Sequence, residues 1–440
     1  MARTSWENNP AIARQRLVAD RAWPELVTNL AGSYDVQTAF AWFAGNADNL
    51  CARQMELTRI PSPPFGESHR AEWFLARFQE MGLQEVHIDE AGNVLGIRPG
   101  SHPGSKMVML SAHMDTVFPP GMPIEVRIKE SGHEGKRLLG PGICDNGAGL
   151  AAMMAMATVL QAFEIKHGAP VLFVANVGEE GEGDLRGMRY IFQDARWQEA
   201  IAYTLVLDGG GTDSIITEGL GSRRYLATVR GPGGHSWTDF GVPNPIVMLA
   251  RAIDRFVRTP VPSDPKTAFN IGVINGGTSV NSIPEVASMK VDIRSASPQE
   301  LENLEIALHD SLAQATHDQA RAATRQSQSG NRHSKHAIDE RRQAIGYDLK
   351  LIGNRPAAEL APDAGILQVM KAVDAHLGIK SRQQRASTDA NIPLSQGREA
   401  VAIGGGGMGG SAHTLQEWYD PANRELGLRR ILLALLALAG

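Results

Sequence analysis

The chain has 440 residues, of which 42% are hydrophobic, 21% charged and 6% aromatic, with a formal net charge of −5. This is the make-up of an ordinary globular protein and excludes a collagenous, coiled-coil or disordered chain. At roughly 100–200 residues per domain the length gives two or three domains, and the near-neutral charge supplies no basic field, so no nucleic-acid partner is expected.

Cys51 and Cys144 are the only cysteines. So few in a chain this long make no disulfide scaffold, and a reducing cytoplasm is the expected compartment. The first thirty residues carry charges and tryptophan without the apolar core of a signal peptide. Residues 36–79 read as mostly helical, interrupted at Pro61-Ser62-Pro63-Pro64. Residues 86–98 read as a hairpin turning at Ala91-Gly92-Asn93. Met107-Val108-Met109-Leu110, 171–177 and 204–207 are continuous apolar runs, the pattern of strands buried on both faces. Between them, 147–163 reads as a buried helix. Strands alternating with helices predict an α/β domain with a mixed, mostly parallel sheet.

From about residue 222 the pattern changes. Strands are expected at 224–230, 269–274, 286–293 and 347–352, with helices at 245–257 and 298–325. That β-α-β-β-α-β order is the split βαβ, ferredoxin-like arrangement of an α+β domain. Residues 326–342, rich in Ser, Arg, His and Gln, read as an exposed insertion. Alternation then resumes at 365–377, 399–403 and 426–439. The expected organisation is a catalytic domain in two parts, 1–221 and 353–440, with an inserted domain at 222–352. The last apolar run, 431–440, would span about 15 Å as a helix, half a bilayer core, so a buried helix and no membrane is expected.

Five motifs put metal-capable side chains just after expected buried strands or in glycine-rich turns, where ligands gather in open α/β sheets. In Ser111-Ala112-His113-Met114-Asp115, His113 and Asp115 share one side of the strand, and Asp115 suits the carboxylate that fixes a ligand histidine. Asp145, in Gly142-Ile143-Cys144-Asp145-Asn146-Gly147, is either a helix N-cap or a carboxylate shared by two ions. Glu179 and Glu180 follow an apolar strand; adjacent acids can divide into a ligand and a proton acceptor. Asp208 ends another strand, as a loop cap or a ligand. Glycines 404–407, 409 and 410 precede His413. No Walker lysine follows them, so they read as backbone that approaches substrate and aims His413. Two histidines with several carboxylates suit Zn²⁺ or Co²⁺ better than Mg²⁺.

The order His-x-Asp, Asp, Glu-Glu, Asp, His, with a split βαβ insertion after the fourth motif, resembles the dinuclear zinc metallopeptidase and amidohydrolase family that includes peptidase T, succinyl-diaminopimelate desuccinylase, aminoacylase and carnosinase. The resemblance runs from about Cys51 to the C-terminus. It implies that His113 and Asp208 bind one ion, Glu180 and His413 the other, and that Asp145 bridges them. It makes Glu179 the general base and Asp115 the residue that orients His113. Two divalent ions are implied, Zn²⁺ first, with Co²⁺ or Mn²⁺ as alternatives. The inserted domain becomes a lid that also mediates a homodimer. In it, His235 of Gly233-Gly234-His235-Ser236 would polarise the scissile carbonyl, while Asn281 and Arg294 would contact substrate; Gly410 would do so from the glycine loop. The implied activity is hydrolysis of amide bonds in small substrates, by an aminopeptidase or di/tripeptidase, with an N-acyl amino-acid deacylase as the alternative and a non-catalytic peptide-binding protein ranked below both. The chain departs from the family in two places. Asn146 stands where a second acid is common, and Arg385-Ala386 precede Ser387-Thr388-Asp389-Ala390 where the peptidase T branch has glycines.

Overall fold

The computed structural model describes residues 23–131, 135–327 and 345–440. The first 22 residues and nearly all of the insertion expected at 326–342 lie outside them. The chain forms two compact units: Leu220–Ala358 is one, and the flanking segments together make the other.

The flanking segments build a nine-stranded mixed sheet. Its centre is the strand Met107–His113, parallel to Val171–Asn176 on one side and to Ile201–Leu207 on the other. Glu399–Ile403 continues the parallel run beyond Ile201–Leu207. Every residue of Val171–Asn176 is buried, as a strand covered on both faces requires. The expected hairpin is present as Gln84–Ile88 against Val94–Arg98, at the antiparallel edge. Register levels the strand ends: His113 pairs with Asn176, Ser111 with Val206, and Ile403 with Leu207. Four chain segments therefore leave the sheet on one side at one height.

Helices Gly147–Ala162 and Arg424–Ala439 both contact the central strand and each other. Both are buried along nearly their whole length. The second contains the apolar run at the C-terminus, and among the described residues no helix is long and apolar enough to cross a membrane. A small antiparallel sheet of Arg127–Ser131, Gly135–Leu139, Trp418–Asp420 and Met408–Gly410 has no counterpart in the sequence reading. Its strands are three to five residues long and partly glycine, too short for an alternation signal.

In the Leu220–Ala358 unit, four antiparallel strands lie in the order Thr267–Gly276, Val286–Ser295, Gly221–Arg230, Gly346–Arg355. Helices Pro245–Phe256 and Pro298–Ser327 supply Met248, Leu249, Phe256, Leu304, Leu308 and Leu312 to its core. The boundary expected at 352 would cut the last strand, because Arg355 still pairs with Ser222. The unit instead ends at Ala358, once that pairing is complete.

Candidate metal centre

His113 is the last residue of the central strand and is 1% exposed. Its Nε2 lies 3.1 Å from Asp145 Oδ1 and 3.9 Å from Asp208 Oδ1. Asp208 stands directly after Ile201–Leu207, and its amide donates to the carbonyl of Ile403. His413 Nε2 lies 3.0 Å from Asp145 Oδ2 and 3.0 Å from Glu180 Oε1. Two groups of donor atoms result, His113–Asp145–Asp208 and Asp145–Glu180–His413, the atoms of each lying within 4.8 Å of one another. Asp145 belongs to both, one oxygen facing each histidine. The five residues expected as ligands thus converge from four sheet ends and the turn ahead of helix Gly147–Ala162.

The electrostatics fit a site for cations. Burial alone would lower the His113 pKa, but Asp115, Asp145 and Asp208 raise it well above the usual value. Hydrogen bonds to Asp145 and Glu180 push His413 up to about 10. Burial would raise Asp145, yet the two imidazoles hold it well below the ordinary carboxylate range. Asp145 Oδ1 is buried, with His113 Nε2 as its near neighbour at 3.1 Å. Imidazoles ringed by acids, with one carboxylate shared between them, form a donor set that divalent ions satisfy.

The surrounding bonds hold this set in place. His113 Nδ1 lies 3.1 Å from the Asp115 carbonyl and 3.7 Å from its Oδ1, so the close contact to the ring is the backbone, not the expected carboxylate. The Asp115 carboxylate instead accepts the N–H groups of Glu179 and Glu180, at 2.9 and 2.7 Å. It thereby fixes both glutamates against the end of the neighbouring strand. Glu179 and Glu180 are each 5% exposed. Gly178, just before them, has φ +69°, a left-handed turn that glycine adopts without strain.

Several residues position the centre in ways that their place in the sequence did not assign. Asn146 Nδ2 donates to the Leu207 carbonyl, and its Oδ1 accepts from Gly149 and Gly209. It caps the helix and ties the Asp145 turn to the Asp208 loop. An amide both donates and accepts there, which an ionised acid cannot do, and this gives the departure from a second acid a local reason. Arg70, fully buried, donates to the carbonyls of Thr58, Ile60 and Met114; burial lowers its pKa to about 10. Asp389 accepts from Asn176 Nδ2 at 2.6 Å beneath the strand ends, and burial raises its carboxyl to about 7. Each of these roles includes a partner far away in the chain, 44 positions for Arg70 with Met114, 61 for Asn146 with Leu207 and 213 for Asp389 with Asn176, so local residue type carried no signal for it. Cys144 is core, packed with Cys51, Met55, Ile143 and Tyr419, and burial pushes its thiol up to about 12. A Cβ at Gly410 would lie 2.7 Å from the Trp418 ring, so packing already requires glycine there.

In the other unit, His235 pairs with Ser282 in a two-stranded ribbon, and Ser236 donates to the Asn281 carbonyl. His235 and Asn281 are therefore neighbours, a proximity that their separate motifs did not state. His235 Nδ1 accepts from Trp237 and Thr238, which leaves the proton of a neutral ring on Nε2. Arg294 lies on the strand Val286–Ser295, with its Nε donating to Asp292 at 2.6 Å.

A model of the peptidase family M20/M25/M40 matches residues 109–437. A probable carboxypeptidase of Aspergillus clavatus is 29% identical over 297 residues, covering 62% of this chain and 63% of that relative's length. Among solved structures, the aminopeptidase PepT of Bacillus cereus superposes with a TM-score of 0.66 at 21% identity, over 90% of this chain and 99% of that one. YXEP of Bacillus subtilis, described as a dinuclear metal-binding peptidase, gives a TM-score of 0.59 at 14% identity, over 90% and 99%. The family match covers all five converging donors and both units of the fold, and the chain belongs to the peptidase family M20/M25/M40.

Proposed function

We propose that the protein is a two-metal hydrolase of amide bonds in small peptides, acting first of all as an aminopeptidase or di/tripeptidase. The observation that carries this is Asp145 shared between two donor groups, with Glu179 fixed beside them. His113 and Asp208 would hold one ion, Glu180 and His413 the other, with Asp145 common to both. Zn²⁺ is the ion proposed, with Co²⁺ or Mn²⁺ as substitutes. Bound ions of this kind supply a Lewis acid that polarises a carbonyl and lowers the pKa of water toward about 7.

The chain's own residues supply the rest. Glu179, buried and tethered through its N–H to Asp115, takes the proton of the attacking water and returns it to the leaving amine. Asp115 keeps Glu179 and Glu180 in register with each other. His235, with its proton on Nε2, is assigned to the carbonyl oxygen, and Arg294 and Asn281 to the rest of the substrate. A guanidinium suits a free carboxylate. That gives a second reading, cleavage of N-acyl amino acids, and it accords with the carboxypeptidase name of the Aspergillus relative. The reading also includes a homodimer through the Leu220–Ala358 unit, whose Trp237, Phe240 and Val280 are exposed, and a cytoplasmic location that accords with two free thiols.

The test is hydrolysis of a panel after dialysis against a chelator and reconstitution with Zn²⁺, Co²⁺ or Mn²⁺. The panel holds short peptides with free or blocked ends beside N-acyl amino acids. Activity should vanish on chelation and return with metal, and a blocked amino end should abolish it. Hydrolysis that persists without metal would overturn the proposal, and preference for amino-blocked substrates would select the second reading.

A further inference from the structure

His413 is an unusual ligand candidate because its own packing does not hold it. Its side chain is 54% exposed, whereas that of His113 is 1% exposed. It sits in a turn where Ser411 and His413 both have positive φ, 57° and 64°. An exposed side chain on such a turn keeps a fixed place only if the loop backbone is anchored nearby.

The anchor lies four residues on. Glu417 is 0% exposed. Its Oε1 accepts the N–H groups of Cys144 and Asp145 at 2.7 and 2.8 Å, and its Oε2 accepts that of Gly142 at 3.0 Å. Its carbonyl accepts from Gly140, and its N–H donates to Thr414. The next residues, Trp418 and Tyr419, pair with Leu139 and Leu138. One carboxylate thus gathers the turn that presents Asp145, while its main chain closes the turn that presents His413. The carboxylate is spent on backbone donors, the arrangement that fixes geometry without offering a ligand atom.

We propose that Glu417 is a positioning residue that locks the Asp145 turn to the His413 loop and so sets the Asp145–Glu180–His413 donor group. The inference rests on the two-metal reading above. It weighs on the two ions unequally: Asp145 is common to both groups, but only the Asp145–Glu180–His413 group also takes a side chain from the His413 loop, whereas His113 and Asp208 stand at strand ends.

The test is a Co²⁺ titration of the full-length metal-free protein, followed by visible absorption and checked by metal analysis at equilibrium dialysis. The unaltered chain should take up two ions. Glu417→Ala should weaken the second uptake step by about 10–100-fold, the usual cost of losing a partner behind the ligands, and the first step by clearly less. Glu417→Gln keeps an oxygen for Cys144 and Asp145 but turns an amide toward Gly142, and its second step should fall between the other two. Should Glu417→Ala fail to fold, Glu417→Gln decides alone. A second step in Glu417→Gln equal to that of the unaltered chain overturns the proposal, as does equal weakening of both steps. Uptake of fewer than two ions by the unaltered chain would overturn the two-metal reading, and the Glu417 role with it.

Discussion

Each acid of the centre has a different task because each has different partners. Asp145 shares its two oxygens between two histidines, and Asp115 gives both of its own to backbone N–H groups. Glu180 faces His413, which leaves Glu179 as the acid whose side chain is not part of either donor group. Glu179→Ala should therefore retain two bound ions while activity falls by several orders of magnitude, of which loss of general-base action accounts for about 10²–10⁴. Metal analysis and turnover on the same sample check this, and near-normal turnover would remove Glu179 from the mechanism. Asn146 illustrates how one residue type serves several elements. Its amide bonds Leu207, Gly149 and Gly209 together, a task that an ionised aspartate could not perform because it has no donor.

At the scale of elements, the centre depends on how closely helix Gly147–Ala162 approaches the end of strand Ile201–Leu207. Gly149 makes this approach: a Cβ there would lie 2.3 Å from Asn146 Oδ1 and 2.6 Å from the Leu207 carbonyl. The second contact is backbone and cannot move aside without shifting the strand that carries Asp208. Gly149→Ala should cost about 1–3 kcal/mol, as overpacking does, and should weaken metal binding at the same time. Gly45→Ala is the control, since nothing lies within 4 Å of a Cβ at that position. Urea denaturation midpoints compare the two, and equal midpoints would show that the approach is not tight. The parallel strands were legible because a strand buried on both faces must be apolar throughout, as in Val171–Asn176. The small sheet that joins Gly135–Leu139 to Trp418–Asp420 was not, because its strands are short and its pairing spans nearly 280 residues.

At the scale of the whole molecule, the two units have separate cores, and all the proposed ligands belong to one of them. Unfolding of such a chain is not expected to be a single two-state transition. Metal should then stabilise one transition only, by about 4 kcal/mol when free metal exceeds its dissociation constant 1,000-fold. Calorimetry with and without a chelator should show one transition moving and the other fixed. A single transition that moves as a whole would mean that the units unfold together.

The sequence by itself determined the main buried strands and helices and their order, the insertion of an α+β unit into an α/β one, and the identities of His113, Asp145, Glu180, Asp208 and His413 as metal-capable residues after strands and glycine turns. These are local properties, since periodicity and residue type act over a few positions. Only the tertiary structure brought the expected bridging Asp145 between two histidines, and only it decided that Asp115 grips two glutamate amides while its carbonyl faces His113, and that Asn146, Arg70 and Glu417 hold the site from behind. Those roles are made of hydrogen bonds between segments far apart in the chain, and they come into being only when the strand ends are brought level.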